Sequence, residues 1–314
     1  MKKKYPKIFL AGHNGLVGSA VLRKLNKLGY NKIITADRRK LDLTNQNKVF
    51  NFLKKNKPNI VIICAAKVGG IKANNEFRGE FIYENLAIQN NLIHGSFIIG
   101  VKNLVFLGSS CVYPKLAKQP IKENYLLTSE LENTNEPYAI AKISGIKLCE
   151  SYNKQYGTNY ISLMPTNTFG PNDNYDLQSS HFIPALIRKI YEAKMQNKRH
   201  LELWGTGESK REILHVDDLA NAIVYFMNKK VKKHFINIGS NFERSITEYA
   251  KIIMKIAKVK LDIRYIGPKY NGTPRKKLNL SLAKKYGWQP KIPLIYGLKK
   301  TYEEYERSKE KLKR

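Results

Sequence analysis

Cysteine is scarce in this sequence, and long apolar runs are missing altogether. The 314 residues include only 3 cysteines, Cys64, Cys111 and Cys149, and such an odd, widely spaced set fits neither a disulfide framework nor a zinc site. No run reaches the roughly 18 apolar residues that cross a membrane, and the apolar stretch at residues 8–11 is too short for a signal peptide. We therefore expect a cytoplasmic protein with no metal site and no membrane insertion.

Acidic residues are also few, which leaves the chain strongly basic. It carries 56 lysines and arginines against 25 acidic residues, a formal net charge of +31. Such a charge raises the alternative of a nucleic-acid partner, but the lysines are scattered and no basic block with interleaved aromatic residues is present. We predict a solvated lysine-rich surface without a nucleic-acid partner, whose electric field attracts an anionic substrate.

Short apolar runs alternate with longer amphipathic stretches through the first half of the chain. Continuous apolar runs are typical of strands buried on both faces of a parallel sheet, and the amphipathic stretches are typical of helices that cover it. The predicted strands are residues 7–11, 32–36, 60–64, 104–107 and 160–163, and the predicted helices are residues 16–28, 45–56, 76–98 and a segment opening near residue 137. The pattern predicts an α/β fold with a doubly wound parallel sheet.

The pattern becomes less regular after Pro165. Helices are predicted at residues 182–195, 216–227, 245–257 and at the charged end, with a short exposed strand at 201–205, a core strand at 234–239 and a loop at 272–276. The core strand indicates that the chain returns to the sheet. We therefore predict a dinucleotide-binding domain of residues 1–170 and 211–240, and a smaller mixed α/β substrate lobe of residues 171–210 and 241–314.

Three glycines at residues 12, 15 and 18 follow the first predicted strand and open the next helix. Glycine permits a tight turn there, and it lets backbone N–H groups at the helix start approach a pyrophosphate. An ordinary glycine-rich turn is the alternative, but the position between strand and helix favours a nucleotide site. We predict a dinucleotide on Gly12, Asn14, Gly15, Leu16, Val17 and Gly18.

The end of the second strand carries two opposing signals about the cofactor. Asp37 can accept hydrogen bonds from a ribose diol, whereas Arg38 and Arg39 can bind a 2′-phosphate. Asp42, a few residues on, either faces the adenine or is simply an exposed carboxylate. The arginines favour NADP over NAD, and the aspartate keeps NAD open.

Tyr138 and Lys142 lie four residues apart, so they share one face of a helix. Tyrosine is a poor proton donor at neutral pH because its ordinary pKa is roughly 10. We expect the ammonium group of Lys142 to favour the phenolate, and Ser109, just after the fourth strand, to hold a carbonyl oxygen that Tyr138 protonates. With a dinucleotide on the glycine loop, these residues predict a carbonyl reductase.

These motifs together resemble the GDP-L-fucose synthase family of extended short-chain dehydrogenases/reductases. The most specific matches are residues 108–114 and 135–138. The remaining matches run over almost the whole chain, at residues 11–18, 65–71, 107–118, 135–157, 164–174, 180–186, 214–218 and 272–276. The resemblance implies a Rossmann domain, NADP(H) as cofactor, a GDP-linked 4-keto sugar as substrate and a homodimer.

The resemblance also implies roles for individual residues. Ser109, Tyr138 and Lys142 match the reductase residues, and Lys142 also bonds the nicotinamide ribose. Cys111 and His181 match the pair that inverts C3 and C5, and both side chains can titrate near neutrality in suitable surroundings. Further implied cofactor contacts are Leu43, Ala65, Asn167 and His181, and the implied substrate contacts are Lys189, Trp204, Arg211 and Arg275.

Three departures from the family pattern leave alternatives open. Asn14 replaces a common arginine in the cofactor loop, Lys189 replaces an arginine that would bind bidentately, and Asn271 replaces an acid. The last two changes concern the sugar, so one alternative is a 4-reductase of a related GDP-sugar, such as a heptose, without epimerase activity. Another is a catalytically inactive protein that senses nucleotides, although such proteins typically lose the tyrosine or the lysine.

Overall fold

The computed structural model describes residues 5–267 and 273–311. The strands in chain order are β1 (Ile8–Ala11), β2 (Ile33–Ile34), β3 (Ile60–Ile63), β4 (Asn103–Leu107), β5 (Asn159–Pro165), β6 (Asn167–Phe169), β7 (His200–Trp204), β8 (Lys210–His215), β9 (Phe235–Ile238), β10 (Glu243–Ser245), β11 (Asp262–Ile266) and β12 (Arg275–Lys276). The helices are α1 (Leu16–Lys27), α2 (Gln46–Asn56), α3 (Ile71–Glu76), α4 (Arg78–Ile98), α5 (Glu136–Tyr156), α6 (Phe182–Met195), α7 (Val216–Phe226), α8 (Ile246–Ala257), α9 (Ser281–Lys285) and α10 (Leu294–Lys311).

Six of these strands form a parallel sheet in the order β2-β1-β3-β4-β5-β9. The strands β1 and β3 are buried along their whole length because the sheet is covered on both faces. Helices α1 and α7 share a hydrophobic core with one face, and α2, α4 and α5 share a second core with the other. The predicted doubly wound α/β fold is confirmed.

The strand order reverses between β1 and β3. From β1 the chain first moves outward to β2, and then crosses back to β3 on the other side of β1. Loops leaving the carboxyl ends of such strands diverge, and they open a crevice where ligands bind in doubly wound proteins. The glycine loop follows β1, and Cys64 and Ala65 follow β3, so both border this crevice.

The second half of the chain adds two small sheets to this framework. Strand β8 lies between β10 and β12 and also pairs with β6, whereas β7 and β11 form a separate parallel pair. Helices α6, α8 and α10 pack over a third hydrophobic core, which contains Ile187, Ile253 and Leu298. This smaller unit faces the carboxyl edge of the large sheet through β6, which directly follows β5.

A buried carboxylate holds three of these segments together. Glu212 on β8 accepts the backbone N–H groups of Ser240 and Asn241, each at 2.7 Å, and that of Leu278 at 2.8 Å. Burial raises the pKa of Glu212, while these N–H donors and the neighbouring Lys277 oppose that rise. The charge pattern of the sequence did not indicate this role.

Several local predictions differ from the structure. The second strand spans only Ile33–Ile34, and the predicted long helix, α4, is preceded by a short helix, α3, that was not predicted. The predicted exposed strand, β7, is half-buried because Leu201 and Leu203 face the core while the residues between them face outward. The predicted loop at residues 272–276 contains strand β12; Asn271 and Gly272 lie outside the described residues.

The predicted division into two domains stays a prediction. Helix α7 and strand β9 of the returning segment do pack with the large sheet, but β8, which opens that segment, lies in the smaller one. Conversely Trp288, from the proposed lobe, packs in the core against α1 and α7. Within residues 5–267 and 273–311, no helix is long and apolar enough to cross a membrane, and no cluster of metal-binding side chains occurs.

Candidate active site

A cleft of about 890 Å³ runs along the carboxyl edge of the sheet and continues between the two parts of the molecule. It is lined by residues from the ends of β1, β3, β4 and β5 and from α5, α6 and β8. All but two of the predicted site residues line it. Those present are Gly12, Asn14, Gly15, Leu16, Val17, Gly18, Asp37, Arg38, Asp42, Leu43, Ala65, Ser109, Cys111, Tyr138, Lys142, Asn167, His181, Lys189, Trp204 and Arg211. The two exceptions are Arg39 and Arg275.

The glycine loop is held close to the neighbouring strand. Gly12 has a left-handed φ of +85°, and a Cβ atom there would lie 2.6 Å from the backbone nitrogen of Ala65. A Cβ atom on Gly18 would lie 2.0 Å from the carbonyl oxygen of Gly12. Both positions therefore require glycine for packing, whereas a Cβ atom on Gly15 would meet only one atom within 4 Å, at an ordinary contact distance.

The start of α1 fits a bound phosphate group. Gly15 is the N-cap and offers no capping side chain, and the first turn of α1 contains no acidic residue. The N–H groups and the positive end of the helix dipole therefore remain available to an external anion at the wall of the cleft. The open space beside Gly15 leaves room for that anion. These residues fit the pyrophosphate of a dinucleotide.

The two carboxylates near the second strand already have local partners. Asp37 accepts the backbone N–H of Lys40 at 3.0 Å, and this hydrogen bond lowers the pKa of its carboxyl group. Asp42 accepts both the N–H and the hydroxyl of Thr44, which lower its pKa. Arg38 is 81% exposed at the cleft margin, 3.7 Å from Glu84. Because local hydrogen bonds hold Asp37 and Asp42, Arg38 is more available than either carboxylate to bind a cofactor.

The predicted reductase residues lie together where β4 meets α5. Ser109 follows β4 directly, and Tyr138 and Lys142 lie one turn apart near the start of α5. Lys142 is 3% exposed, and its Nζ atom donates a hydrogen bond to the carbonyl oxygen of Leu107 at 2.8 Å. The side chain of Ser109 interacts with the Tyr138 hydroxyl, so a carbonyl oxygen placed between them would meet both hydroxyl groups.

Lys142 does not lower the pKa of Tyr138, contrary to the prediction from sequence. Burial raises the pKa of Tyr138 well above its ordinary value, and its proximity to Cys111 raises it further, against the opposing hydrogen bond from Ser109. The Nζ atom of Lys142 lies 5.8 Å from the centre of the tyrosine ring and is directed toward Leu107, and burial lowers the pKa of Lys142 to about 8. Tyr138 therefore remains protonated, which suits a proton donor.

Cys111 lies two residues beyond Ser109, in a short turn that begins after β4. Its backbone N–H donates to the Ser109 hydroxyl at 3.2 Å. Its Sγ atom accepts from the side-chain amide of Asn135 at 3.5 Å and from Nζ of Lys276 at 3.7 Å. The other two cysteines are different, because burial raises the pKa of Cys64 and of Cys149 to about 12.

His181 is the N-cap of α6 and lines the cleft. Its ring is exposed to the interior of the cleft, yet protein atoms surround it, and this burial and then the charge of Lys276 lower its pKa. The loop before it contacts the loop after β3, where the N–H of Gly70 donates to the carbonyl oxygen of Ser179 at 2.9 Å. His181 is thus a neutral imidazole beside the cleft.

Three of the predicted substrate contacts, Lys189, Trp204 and Arg211, line the cleft. Lys189 on α6 donates to the carbonyl oxygen of Glu202 at 3.1 Å, and its ammonium group lies 5.3 Å from the centre of the Trp204 ring. Burial lowers the pKa of Lys189 and of Arg211. The ammonium group of Lys189 beside the Trp204 ring, with Arg211 as a second cation of the same cleft, can bind a phosphorylated group that carries a planar base.

Arg275 is not among the residues that line the cleft, so its predicted substrate contact stays a prediction without support from the cleft. Its guanidinium group binds Glu243, with an Nη2–Oε2 distance of 2.8 Å. Successive residues of a strand point to opposite faces, and the next residue on β12, Lys276, is the one that lines the cleft. Lys276 lies within residues 272–276, a segment that carries the family resemblance, but its spacing and residue type predict no role in a single sequence.

Further cleft residues were missed, among them Asn135 and Asp173. The Oδ1 atom of Asn135 and the Oδ2 atom of Asp173 are buried, with no hydrogen-bond partner among the described residues. Burial raises the pKa of Asp173 to about 7, against the N–H donors of Asn174 and Gly170. Both residues lie inside segments that carry the family resemblance, but a single sequence does not reveal that their polar atoms lack partners.

Comparisons with known proteins identify the family of this chain. Residues 8–239 match the model of the NAD dependent epimerase/dehydratase family. A GDP-L-fucose synthase from Sinorhizobium fredii is 51% identical over 299 residues, 95% of this chain and 95% of that protein. GDP-L-fucose synthase 1 from Arabidopsis thaliana is 48% identical over 305 residues, 97% and 94% of the two chains. A solved GDP-mannoheptose C4 reductase from Campylobacter jejuni, with NADP bound, has a TM-score of 0.88 at 36% identity and covers 98% of this chain and 100% of its own.

Proposed function

The chain belongs to the NAD dependent epimerase/dehydratase family, and from this premise we propose that it is a GDP-4-keto-sugar epimerase/reductase that uses NADPH. It reduces the ketone at C4 and inverts C3 and C5 of the same sugar, in the synthesis of a nucleotide sugar. The observation that carries this proposal is one cleft that contains the glycine loop, the Ser109–Tyr138–Lys142 group and the Cys111–His181 pair. Relatives named GDP-L-fucose synthase, 51% and 48% identical, support it.

NADPH supplies the hydride that reduces C4 when it is bound along the glycine loop. Gly15 and the first turn of α1 would hold its pyrophosphate, and Arg38 would hold its 2′-phosphate. The other proposed contacts are Asp42, Leu43, Ala65, Asn167 and His181. Arg39 does not line the cleft, so we omit it from the proposed contacts. The solved relative with NADP bound supports this choice of cofactor.

Ser109 and Tyr138 bind the C4 oxygen during reduction. Ser109 orients the oxygen, and Tyr138 gives it a proton as negative charge develops there. The raised pKa of Tyr138 suits this role, because the hydroxyl stays protonated until the much more basic C4 alkoxide forms. Lys142, held by Leu107, keeps a positive charge beneath the site and bonds the ribose of the cofactor.

Cys111 and His181 carry out the two inversions before reduction. The C4 ketone acidifies the C–H bonds at C3 and C5, so one side chain can take the proton of such a bond. The electron pair of the broken C–H bond then delocalises onto the C4 oxygen as an enolate. The other side chain returns a proton to the opposite face of the same carbon. Cys111 follows β4 and His181 opens α6, so the two residues come to the cleft from different elements, which supports this exchange.

The cationic end of the cleft binds the GDP part of the substrate. Lys189 and Arg211 bind the diphosphate, and Trp204 offers its ring to the base. The net charge of +31 attracts this anionic substrate over a longer distance.

A GDP-4-keto-heptose is the second candidate substrate. The solved relative named GDP-mannoheptose C4 reductase, 36% identical over nearly the whole chain, favours it. Lys189 stands where the GDP-L-fucose synthase family commonly has arginine, and this change falls in the substrate half of the cleft. In this alternative Cys111 and His181 position the sugar without exchanging its protons.

One experiment separates the two candidates. The protein is incubated in heavy water with NADPH and either GDP-4-keto-6-deoxymannose or a GDP-4-keto-heptose, and the products are analysed by NMR. We expect GDP-L-fucose with deuterium at C3 and C5. Cys111→Ala should abolish that deuterium while NADPH oxidation continues with a ketone that needs no inversion. If the wild type reduces the ketone but its product carries no deuterium at C3 or C5, then the protein is a 4-reductase without epimerase activity.

We also propose that the protein is a cytoplasmic homodimer. Helices α4 and α5 lie side by side on the surface and expose large hydrophobic side chains, among them Tyr83, Ile140 and Tyr156, of which Tyr83 is 71% exposed. An apolar face of two helices can pack against its own copy. Light scattering should give twice the chain mass for the wild type and a smaller mass for Tyr83→Glu. A wild-type monomer would contradict the proposal.

A further inference from the structure

The sulfur atom of Cys111 accepts two nitrogen donors from segments far apart in the chain. Asn135 Nδ2 lies 3.5 Å from Sγ, and Lys276 Nζ lies 3.7 Å from it. Burial raises the pKa of the Cys64 and Cys149 thiols to about 12, so both stay protonated at neutral pH. Among the three cysteines, Cys111 alone has both a position in the cleft and a cation as hydrogen-bond donor.

The pairing of strands explains why a lysine reaches this sulfur. Strand β12 pairs with β8 so that Lys276 lies opposite Arg211, and this register directs two cations toward the turn that carries Cys111. Arg275 is on the other face of β12, bound to Glu243. The arrangement therefore selects Lys276, rather than its neighbour, for contact with the thiol.

Other charged or titratable groups also surround the sulfur. Tyr138 of α5 approaches Cys111, and Arg211 of β8 interacts with Cys111 and with Glu132. His181 of α6 also interacts with Lys276. The ammonium group of Lys276 thus interacts with both the thiol and the imidazole, the two groups to which the proposed function assigns proton exchange.

Hydrogen bonds and a nearby cation stabilise a thiolate relative to a thiol. We propose that Lys276 and Asn135 hold the sulfur of Cys111 in its thiolate form during epimerisation, so that Lys276 is a positioning residue for that reaction. This inference rests on the proposed function. The protons balance when His181, as a neutral imidazole, takes the proton of the C–H bond and the Cys111 thiol returns one to the opposite face of the same carbon. The thiolate left on Cys111 is the form that Lys276 and Asn135 stabilise. Proton exchange with solvent then restores the thiol and the neutral imidazole.

Asn135 provides a second link between sulfur and substrate. Its Nδ2 atom donates to Cys111, while its Oδ1 atom is buried without a partner among the described residues. An unpaired acceptor in a cleft is costly unless a ligand donates to it. A sugar hydroxyl bound to this oxygen would therefore lie beside the thiolate.

The first measurement needs neither substrate nor cofactor. Iodoacetamide reacts with thiolates, and mass spectrometry separates alkylation of Cys111 from that of Cys64 and Cys149. At neutral pH, Lys276→Met should slow alkylation of Cys111 about tenfold, as expected for loss of an opposite charge near the group. Lys276→Arg should restore most of the rate, and Lys277→Met, at the adjacent position, should leave it unchanged. Equal rates in Lys276→Met and wild type would overturn the proposal.

The second measurement uses the GDP-4-keto sugar in heavy water. Lys276→Met should lower the maximal rate of deuterium incorporation about tenfold with little change in KM, and Lys276→Arg should recover it. A raised KM with an unchanged maximal rate would show that Lys276 binds the diphosphate instead, and would overturn the proposal. Absence of deuterium in the wild-type product would overturn the proposed epimerisation together with this role, whereas equal incorporation in the wild type and in Lys276→Met would overturn this role alone.

Discussion

The two reactive groups in the cleft are assembled in different ways. The reductase group, Ser109, Tyr138 and Lys142, comes from one strand end and one helix that pack directly together. The epimerisation group combines Cys111 with His181 from the start of α6 and Lys276 from β12. The first is thus local within the sheet domain, and the second exists only where two parts of the molecule meet.

This difference predicts different sensitivity to structural change. Lys142 is anchored in the core, and the ring of Tyr138 packs edge-on against Phe81. His181 instead follows a loop that is joined to the sheet domain by the Gly70–Ser179 hydrogen bond and the Lys72–Gln178 contact. Reduction should therefore tolerate small shifts of this loop, whereas epimerisation should not.

The largest effect is expected from Tyr138→Phe, which tests whether the two groups are chemically independent. Loss of the hydroxyl removes the proton donor to C4, so NADPH oxidation should fall about a thousandfold. Deuterium incorporation at C3 and C5 should persist within a few-fold, because Cys111 and His181 remain. Stopped-flow absorbance and NMR measure the two rates separately. An equal loss of both rates would break the comparison.

Lys142→Met tests how much the buried charge of Lys142 in the reductase group lowers the free energy of unfolding. The pKa of Lys142 is about 8, against an ordinary 10.5, because its charge is buried. Removing the charge should raise the free energy of unfolding at pH 7 by about 2 kcal/mol, after allowance for the lost hydrogen bond to Leu107. Chemical denaturation without cofactor measures this change.

The pH dependence of that change has a definite sign. Between pH 8 and 10.5 the unfolded chain keeps the lysine proton that the folded protein has already lost, so wild-type stability rises relative to the variant. The difference in free energy of unfolding between Lys142→Met and the wild type should therefore become smaller from pH 8 to pH 10.5. A difference that stays constant from pH 7 to pH 10.5 would show that burial of the charge is not its origin.

Gly70→Ala should affect the epimerisation group selectively. The added Cβ atom would lie 2.6 Å from the carbonyl oxygen of Ser180, so the loop before His181 must shift. We expect about a tenfold loss of deuterium incorporation and less than a twofold loss of ketone reduction. Gly79→Ala, where a Cβ atom would meet nothing within 4 Å, is the matched control. Parallel losses in both activities would argue against an independent loop.

The smallest effect is expected at the cofactor end of the sheet domain. Arg38 lines the cleft but is 81% exposed, so Arg38→Ala should weaken NADPH binding about fivefold and leave NADH binding nearly unchanged. Arg39→Ala, outside the cleft lining, should change neither. Calorimetric titration of both nucleotides distinguishes these cases, and tighter binding of NADH by the wild type would show that Asp37 dominates.

The sequence by itself determined the sheet domain and the reductase group. Continuous apolar runs predicted β1, β3, β4 and β5 because strands buried on both faces need apolar residues at every position. The glycine spacing and the Tyr138–Lys142 spacing depend on local geometry, a turn or one helical turn, so they are legible in a single chain.

Tertiary structure alone decided the surroundings of those residues. The pKa of Tyr138 follows from burial rather than from the nearby lysine, and burial depends on packing that residue spacing does not encode. The choice of Lys276 over Arg275 beside Cys111 depends on which face of β12 meets the cleft, and thus on its register with β8. Contacts between residues 165 positions apart in the chain require long-range pairing, which one sequence does not reveal.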